Sequence, residues 1–195
     1  MEQGSPEWIK WRGKGIGSSE VATILNVNPY ENIEDLWRLK LGLIPPKDLS
    51  KNFAVIRGTA LEPVARNLIN INTESRFEPA TFEHPEHPFM RYSSDGFDRD
   101  KNEVIEIKAM ASRNHLKVCK EKKVIDYYMP QCMWALMITG ASVCHFVSYN
   151  PEFEENLAFV QVKPDEQYFA MMKEKALAFW ECVQNRINPV TGEMV

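Results

Sequence analysis

Two rhythms of apolar and polar positions run along this chain. A period of two marks Tyr92 to Ala109: Val104-Ile105-Glu106-Ile107-Lys108 has strand composition and Arg99-Asp100-Lys101-Asn102 is turn-like, which predicts a β-hairpin. Further strands are predicted from Phe77 to Glu83, Val143 to Tyr149 and Leu157 to Lys163. A helical period predicts the remaining elements. One helix is capped by Ser18 or Ser19 and runs through Leu25; a second is capped by Asn32 and ends before Gly42, with Leu36, Trp37 and Leu39 on its apolar side. A third spans Thr59 to about Asn72, a basic one opens at Ser112 or Arg113 and reaches about Lys123, and an apolar one from Tyr128 to Thr139 is closed by Gly140. The last, Asp165 to about Arg186, sets Tyr168, Met172, Ala176, Phe179, Trp180 and Val183 at helical spacing, a stripe for the core or a subunit contact. Pro45 and Pro46 break the chain, and Lys47 to Val55 reads as a mobile polar loop. The alternation predicts an α/β fold, a mixed central β-sheet flanked by helices.

The hairpin also concentrates chemistry. Glu106 and Lys108 share one strand face while Ile105 and Ile107 take the other. A symmetric turn centred between Asp100 and Lys101 sets Asp95 directly across from Glu106, and opposed carboxylates are destabilising unless a cation lies between them. Glu and Lys two apart on a strand more commonly form a solvated face with a weak ion pair. Here the division of the strand, apolar one way and Asp95, Glu106 and Lys108 the other, favours a built site, and Gly96 leaves room for a ligand near the backbone. Two carboxylates and an ammonium around one point suit metal-dependent phosphodiester hydrolysis. Mg²⁺ and Mn²⁺ take oxygen ligands, so Asp95, Glu106 and the carbonyl of Ile107 fit them better than zinc.

Composition narrows the class. With 195 residues, 44% of them hydrophobic, the chain supports one well-buried core and predicts a single domain over residues 1–195. No apolar run reaches bilayer length and the first seven residues carry no signal pattern, which predicts a cytoplasmic protein. Cys119, Cys132, Cys144 and Cys182 are too scattered for a zinc knuckle and read as reduced thiols. The net charge of -4 argues against a uniformly basic DNA-coating protein, so any phosphate-binding surface is local. His84, His87, His115 and His145 lack zinc-ligand spacing, and His84 and His87 belong to a solvated Pro-flanked turn. Trp8, Trp11 and Trp37 could stack on bases, although such residues are more often core.

Asp95, a gap, then Glu106-Ile107-Lys108 resembles the PD-(D/E)XK nuclease signature, with Ser94 where the signature often has Pro. Three further segments are similar to the lambda exonuclease branch of that superfamily, the YqaJ-type viral recombinases. They are Trp11-Arg12 with Gly15-Ile16-Gly17-Ser18-Ser19-Glu20, then Arg57-Gly58-Thr59-Ala60-Leu61-Glu62-Pro63, then Gln131 ahead of Ile138-Thr139-Gly140. Four matches in order cover roughly residues 8 to 140.

The resemblance implies a restriction endonuclease-like core and a Mg²⁺-dependent exonuclease with two ions per site, Mn²⁺ substituting. Its substrate would be double-stranded DNA ends, degraded 5′ to 3′ to leave a 3′ single-stranded tail. It implies a single-strand annealing protein as partner and a homo-oligomer, a trimer in lambda exonuclease. Glu62 would join Asp95 and Glu106; read from the residues alone, Thr59 to Glu62 is equally a helix capping box. Gln131 would be a polar positioner, or else an ordinary helix-surface amide. Lys108 would orient or help deprotonate the attacking water and offset phosphorane charge. Arg12, Ser19 and Ser93 would bind the 5′-terminal phosphate; singly they read as a surface arginine, a helix cap and a strand serine. The 47–55 loop could meet DNA. A nicking or restriction-like endonuclease would use the same metal site, and a non-catalytic DNA-binding module is the third class.

Overall fold

The computed structural model describes residues 3–194; Met1, Glu2 and Val195, at the ends of the expected single-domain range, lie outside the described residues. In chain order the elements are α1 (Pro6–Gly13), β1 (Ile16–Gly17), α2 (Ser18–Ile24), α3 (Ile33–Lys40), α4 (Phe53–Thr73), β2 (Glu78–Glu83), β3 (Met90–Asp98) and β4 (Glu103–Ala109). After these come α5 (Ser112–Glu121), a 3₁₀ turn at Asp126–Tyr128, α6 (Met129–Thr139), β5 (Val143–Tyr149), β6 (Leu157–Val162) and α7 (Glu166–Gln184). The six strands form one mixed sheet in the order β1-β3-β4-β5-β6, with β2 also on β3. The α/β architecture is as the alternation predicted.

Register decides where the site can be. β3 and β4 are antiparallel with Gly96 opposite Ile105, Phe97 opposite Val104 and Asp98 opposite Glu103, the register of the predicted symmetric turn. Asp98 holds that turn, accepting hydrogen bonds from the Asp100 and Lys101 amides at 3.0 Å each. Pairing stops at Gly96. β1 lies parallel to β3 at Met90 and Arg91, on the edge opposite β2, because Arg91 pairs with both Gly17 and Glu83. Phe97 likewise pairs with β2 and β4, so β1 and β4 share one edge of β3 and leave residues 92–95 of that edge open between them. The sheet forks at Asp95.

Two apolar clusters clamp the fork. α4 covers one face, where Ala65 and Ile69 meet Phe77, Ile105, Ile107, Val147 and Tyr149. On the other face Val104, Phe146 and Tyr92 pack with α6, α2 and α7, the last through Met172, Ala176, Phe179 and Val183, as its stripe predicted. Gly96 serves this packing and not a ligand. A β-carbon there would lie 2.8 Å from Ile105 Cδ1 and Cγ1 and from Phe77 Cβ, so the glycine corrects the earlier expectation of a ligand approach.

Three helix starts differ from the expected ones. α4 begins at Phe53, where the Asn52 side chain accepts from the Ala54 and Val55 amides, so the loop ends earlier than Val55 and the helix starts a turn and a half before Thr59. Thr59 is then interior and its hydroxyl donates to the Val55 carbonyl at 3.0 Å; the capping box does not form. α2 is capped by Gly17, whose amide donates to Glu20 Oε2 at 2.9 Å, leaving Ser18 and Ser19 inside the first turn. α1, capped by Ser5, was not expected at all.

Candidate active site

Where β3 and β4 part, Ile107 loses a backbone partner and Asp95 supplies one: its Oδ2 accepts from the Ile107 amide at 2.7 Å. The Asp95 carboxylate is thereby fixed beside Glu106, which is 3% exposed and accepts from Tyr92 Oη at 3.3 Å and from Lys108 Nζ at 2.7 Å. Lys108 also lies 5.3 Å from the centre of the Tyr128 ring. Burial, then the neighbouring Glu106, pushes the Asp95 carboxyl well above its ordinary range; Lys108 opposes this and Glu62 adds to it. Burial works against the Lys108 ammonium, but Glu106 and Asp95 more than offset it and hold its pKa above the usual value.

Glu62 comes to the fork from α4. Its Oε1 accepts from Arg66 Nη1 at 3.0 Å, and the same nitrogen donates to the Asp95 carbonyl at 2.6 Å. Arg66 was missed from sequence, although it stands four residues after Glu62, the spacing of a helical ion pair. Gln131 projects from α6 at 7% exposure with no protein partner for its amide among the described residues. It is not a surface amide. Three carboxylates against two cations leave an excess of oxygen donors and negative charge, so the donor set fits a hard divalent ion and would not suit a soft one.

The second constellation assembles beside the first. Arg12, at the end of α1, donates to Ser19 Oγ in the first turn of α2. Ser93 precedes Asp95 by two residues on β3, hence on the same face and about 7 Å away along the strand. Trp8 completes the group: its indole N–H donates to Ser93 Oγ at 3.0 Å, and the Arg12 guanidinium stacks on its ring at 5.0 Å. Freeing Ser19 from capping duty is what lets it face Arg12. Lys40 holds the segment in place, donating to the Gly15 carbonyl at 2.6 Å and to Glu20 at 2.9 Å. Gly15 can be no other residue there, since a β-carbon would collide with the Phe89 carbonyl.

Arg12, Ser19 and Ser93 line one cavity of about 790 Å³ together with Glu62, Asp95, Glu106, Ile107, Lys108 and Gln131. Every residue of the two predicted constellations thus meets in a single cleft, which Trp8, Trp11 and Asn52 also line. Arg57, from the same matched segment as Glu62, does not line the cleft; it donates to Asn150 at 3.0 Å and ties α4 to the segment just after β5. Trp37 is core at 1% exposure.

His84 corrects another expectation. It is 9% exposed, and its Nδ1 accepts from the Glu86 and His87 amides at 3.2 Å each. Ligand atoms of His84, Glu86 and His87 lie within 4.8 Å of one another, and the two rings stack at 28°. The four cysteines are free thiols. No helix among the described residues is long and apolar enough to cross a membrane.

A family model for the YqaJ-like viral recombinase domain matches residues 7–142, the stretch that contains both constellations. The chain belongs to that family. It is 25% identical over 183 residues to the uncharacterized protein YqaJ of Bacillus subtilis (strain 168), covering 92% of this chain and 56% of that relative, so it spans little more than half of the relative's length. The fold is shared with the alkaline exonuclease LHK-Exo of Laribacter hongkongensis, at a TM-score of 0.80 and 24% identity over 92% of this chain and 93% of that one. The same enzyme in complex with dAMP matches at 0.79 and 25% identity, with equal coverage. A phage-related exonuclease from Haemophilus somnus 129PT matches at 0.65 and 11% identity over 87% of this chain and 93% of that one. The sheet with its flanking helices is the PD-(D/E)XK-like fold that this chain shares with LHK-Exo.

Proposed function

We propose that this YqaJ-like protein is a divalent-metal-dependent DNA exonuclease that enters at duplex ends and degrades one strand 5′ to 3′. One observation carries the reading: the Arg12, Ser19, Ser93 group and the Asp95, Glu106, Lys108 group open into one cleft, two residues apart on β3. A pocket for a terminal phosphate placed about 7 Å from the hydrolytic cluster selects chain ends and sets a step on the order of one nucleotide. The exonucleases that share the fold support the same activity, and LHK-Exo binds dAMP.

Asp95, Glu106, Glu62 and the Ile107 carbonyl would hold the cations, Mg²⁺ or Mn²⁺, two in number. When bound, these would supply a water acidified for attack and neutralise charge on the departing oxygen. The chain's own groups do the rest. Asp95 is oriented by the Ile107 amide, and Glu62 by Arg66. Lys108 enters as an ammonium and offsets charge on the pentavalent phosphorus. Gln131 positions the scissile phosphate with its unpaired amide. Arg12 and the two serines grip the 5′ phosphate, and each cut exposes a fresh one, which gives movement a direction. The 3′ tail left behind is the substrate of a single-strand annealing partner, and a closed oligomer of this acidic chain would retain DNA by topology.

The test is digestion of linear and covalently closed duplex DNA with and without Mg²⁺. Loss of the linear form alone, only with Mg²⁺, is expected. Equal cutting of closed circles would favour the endonuclease reading, and no cutting of either would favour a non-catalytic module.

A further inference from the structure

A concentration of basic charge in this acidic protein lies along one helix beside the cleft and just beyond its end. Residues 113–123 hold Arg113, Lys117, Lys120, Lys122 and Lys123 against Glu121, a net +4, which leaves the rest of the chain at -8. α5 begins three residues after β4 ends, and Ala111 and Asn114 line the cleft wall. Its inner side is pinned. Buried His115 bridges Ser148 Oγ at 2.8 Å and the Glu155 carbonyl at 2.7 Å, and Val118 is fully buried.

On the outer side Arg113, Lys117 and Lys120 recur at the i, i+4, i+7 spacing of one helical stripe, and all three are exposed. None makes an ion pair among the described residues, whereas Lys122 is engaged by Glu155 at 2.9 Å. A stripe of unpaired cations on a rigid helix, in a protein with excess acid, is self-repelling unless it meets a polyanion.

We propose that Arg113, Lys117 and Lys120 form the track that holds the phosphate backbone of the duplex outside the cleft. This rests on the reading of the cleft as a site for DNA ends. The stripe is about 10 Å long, which spans about three phosphates of one strand at about 3.4 Å each along the helix axis. Contacts of this kind are indifferent to sequence and release counterions, so they write themselves into the salt dependence of binding.

The experiment measures binding of a 5′-phosphorylated duplex without divalent ions over a range of salt concentrations, and separately the single-turnover cleavage rate at saturating enzyme in Mg²⁺. The variants are R113Q/K117Q/K120Q and, as a control of equal charge change, R99Q/K163Q/K175Q, all at exposed positions. The stripe variant is expected to flatten the slope of log K against log salt by about 2 to 3, near 0.9 per lost contact, with the saturated rate unchanged. The control should flatten it by less than about 1. An unchanged slope in the stripe variant, or an equal change in both, would overturn the track, including in favour of an acidic protein as the occupant. Wild-type protein that neither binds nor cuts the duplex would instead overturn the reading of the cleft.

Discussion

Replacing Arg12 by Ala should erase a preference for 5′-phosphorylated ends. Arg12 donates to Ser19 Oγ and stacks on Trp8, whose N–H is itself directed at Ser93, so the guanidinium is held with nitrogens free for a phosphate. A charge-assisted contact of this kind is worth about 1.5 to 3 kcal/mol. At about 1.4 kcal/mol per tenfold, a 5′-phosphate duplex should be digested about tenfold to a hundredfold faster than its 5′-hydroxyl counterpart. Single-turnover digestion of the two substrates measures the ratio. Arg12→Ala should bring it near unity, while Arg12→Lys, lacking the planar fork, should recover only part. Equal rates on both ends in the wild type would refute the pocket and leave the carboxylate cluster untouched.

Asp95→Asn should abolish strand degradation and raise the melting temperature of the metal-free protein at pH 8 but not near pH 3. The folded carboxyl titrates above its ordinary value, so its cost to stability begins as pH rises through that ordinary value, about 3.9, and grows until the folded carboxyl ionises; each 1 kcal/mol recovered is about 2–4 °C for a chain of this size. Lys108→Met should lower the single-turnover rate by about 10² or more with duplex binding nearly intact; equal losses in both would reduce Lys108 to a phosphate contact. Gly96→Ala should destabilise by about 1–3 kcal/mol in denaturant unfolding, since Phe77 Cβ and Ile105 leave its β-carbon no room, and a neutral result would contradict the packing described. Asp98→Ala should cost about 1.5–3 kcal/mol, because its carboxylate accepts from the Arg76, Asp100 and Lys101 amides. Although burial opposes ionisation, those amides hold the Asp98 pKa below its ordinary value, so its contribution is complete above about pH 4 and is lost as pH falls further; acid unfolding of wild type and variant should converge there.

The hairpin was legible because a two-residue period and a turn of fixed centre leave one register, and that register predicted Gly96 opposite Ile105. It did not reveal that the ladder stops there, where the Asp95 carboxylate takes the Ile107 amide instead, nor that β1, from a distant part of the chain, occupies the same edge of β3. Gly96 was misread for a similar reason: its neighbour Phe77 comes from another strand region and is invisible locally. Nothing in the pattern announces α1, where Trp8 is buried but the next residue, Ile9, is 60% exposed, so no apolar stripe forms. The early start of α4 followed from Asn52, a cap as readable as Thr59, but the polar run before it masked the signal. Trp8 and Arg66 each stand four residues from a predicted partner, Arg12 and Glu62, and helical spacing alone could have nominated them.

The most direct test of a metal-dependent exonuclease built on Asp95, Glu106 and Lys108 is release of nucleotides from a linear duplex labelled at one 5′ or one 3′ end, in Mg²⁺ or chelator, by wild type and Glu106→Gln. Wild type in Mg²⁺ should release the 5′ label early and the 3′ label late, with none in chelator and none from a folded Glu106→Gln variant. Release in chelator, or by that variant, or from the 3′ end first, would contradict the account.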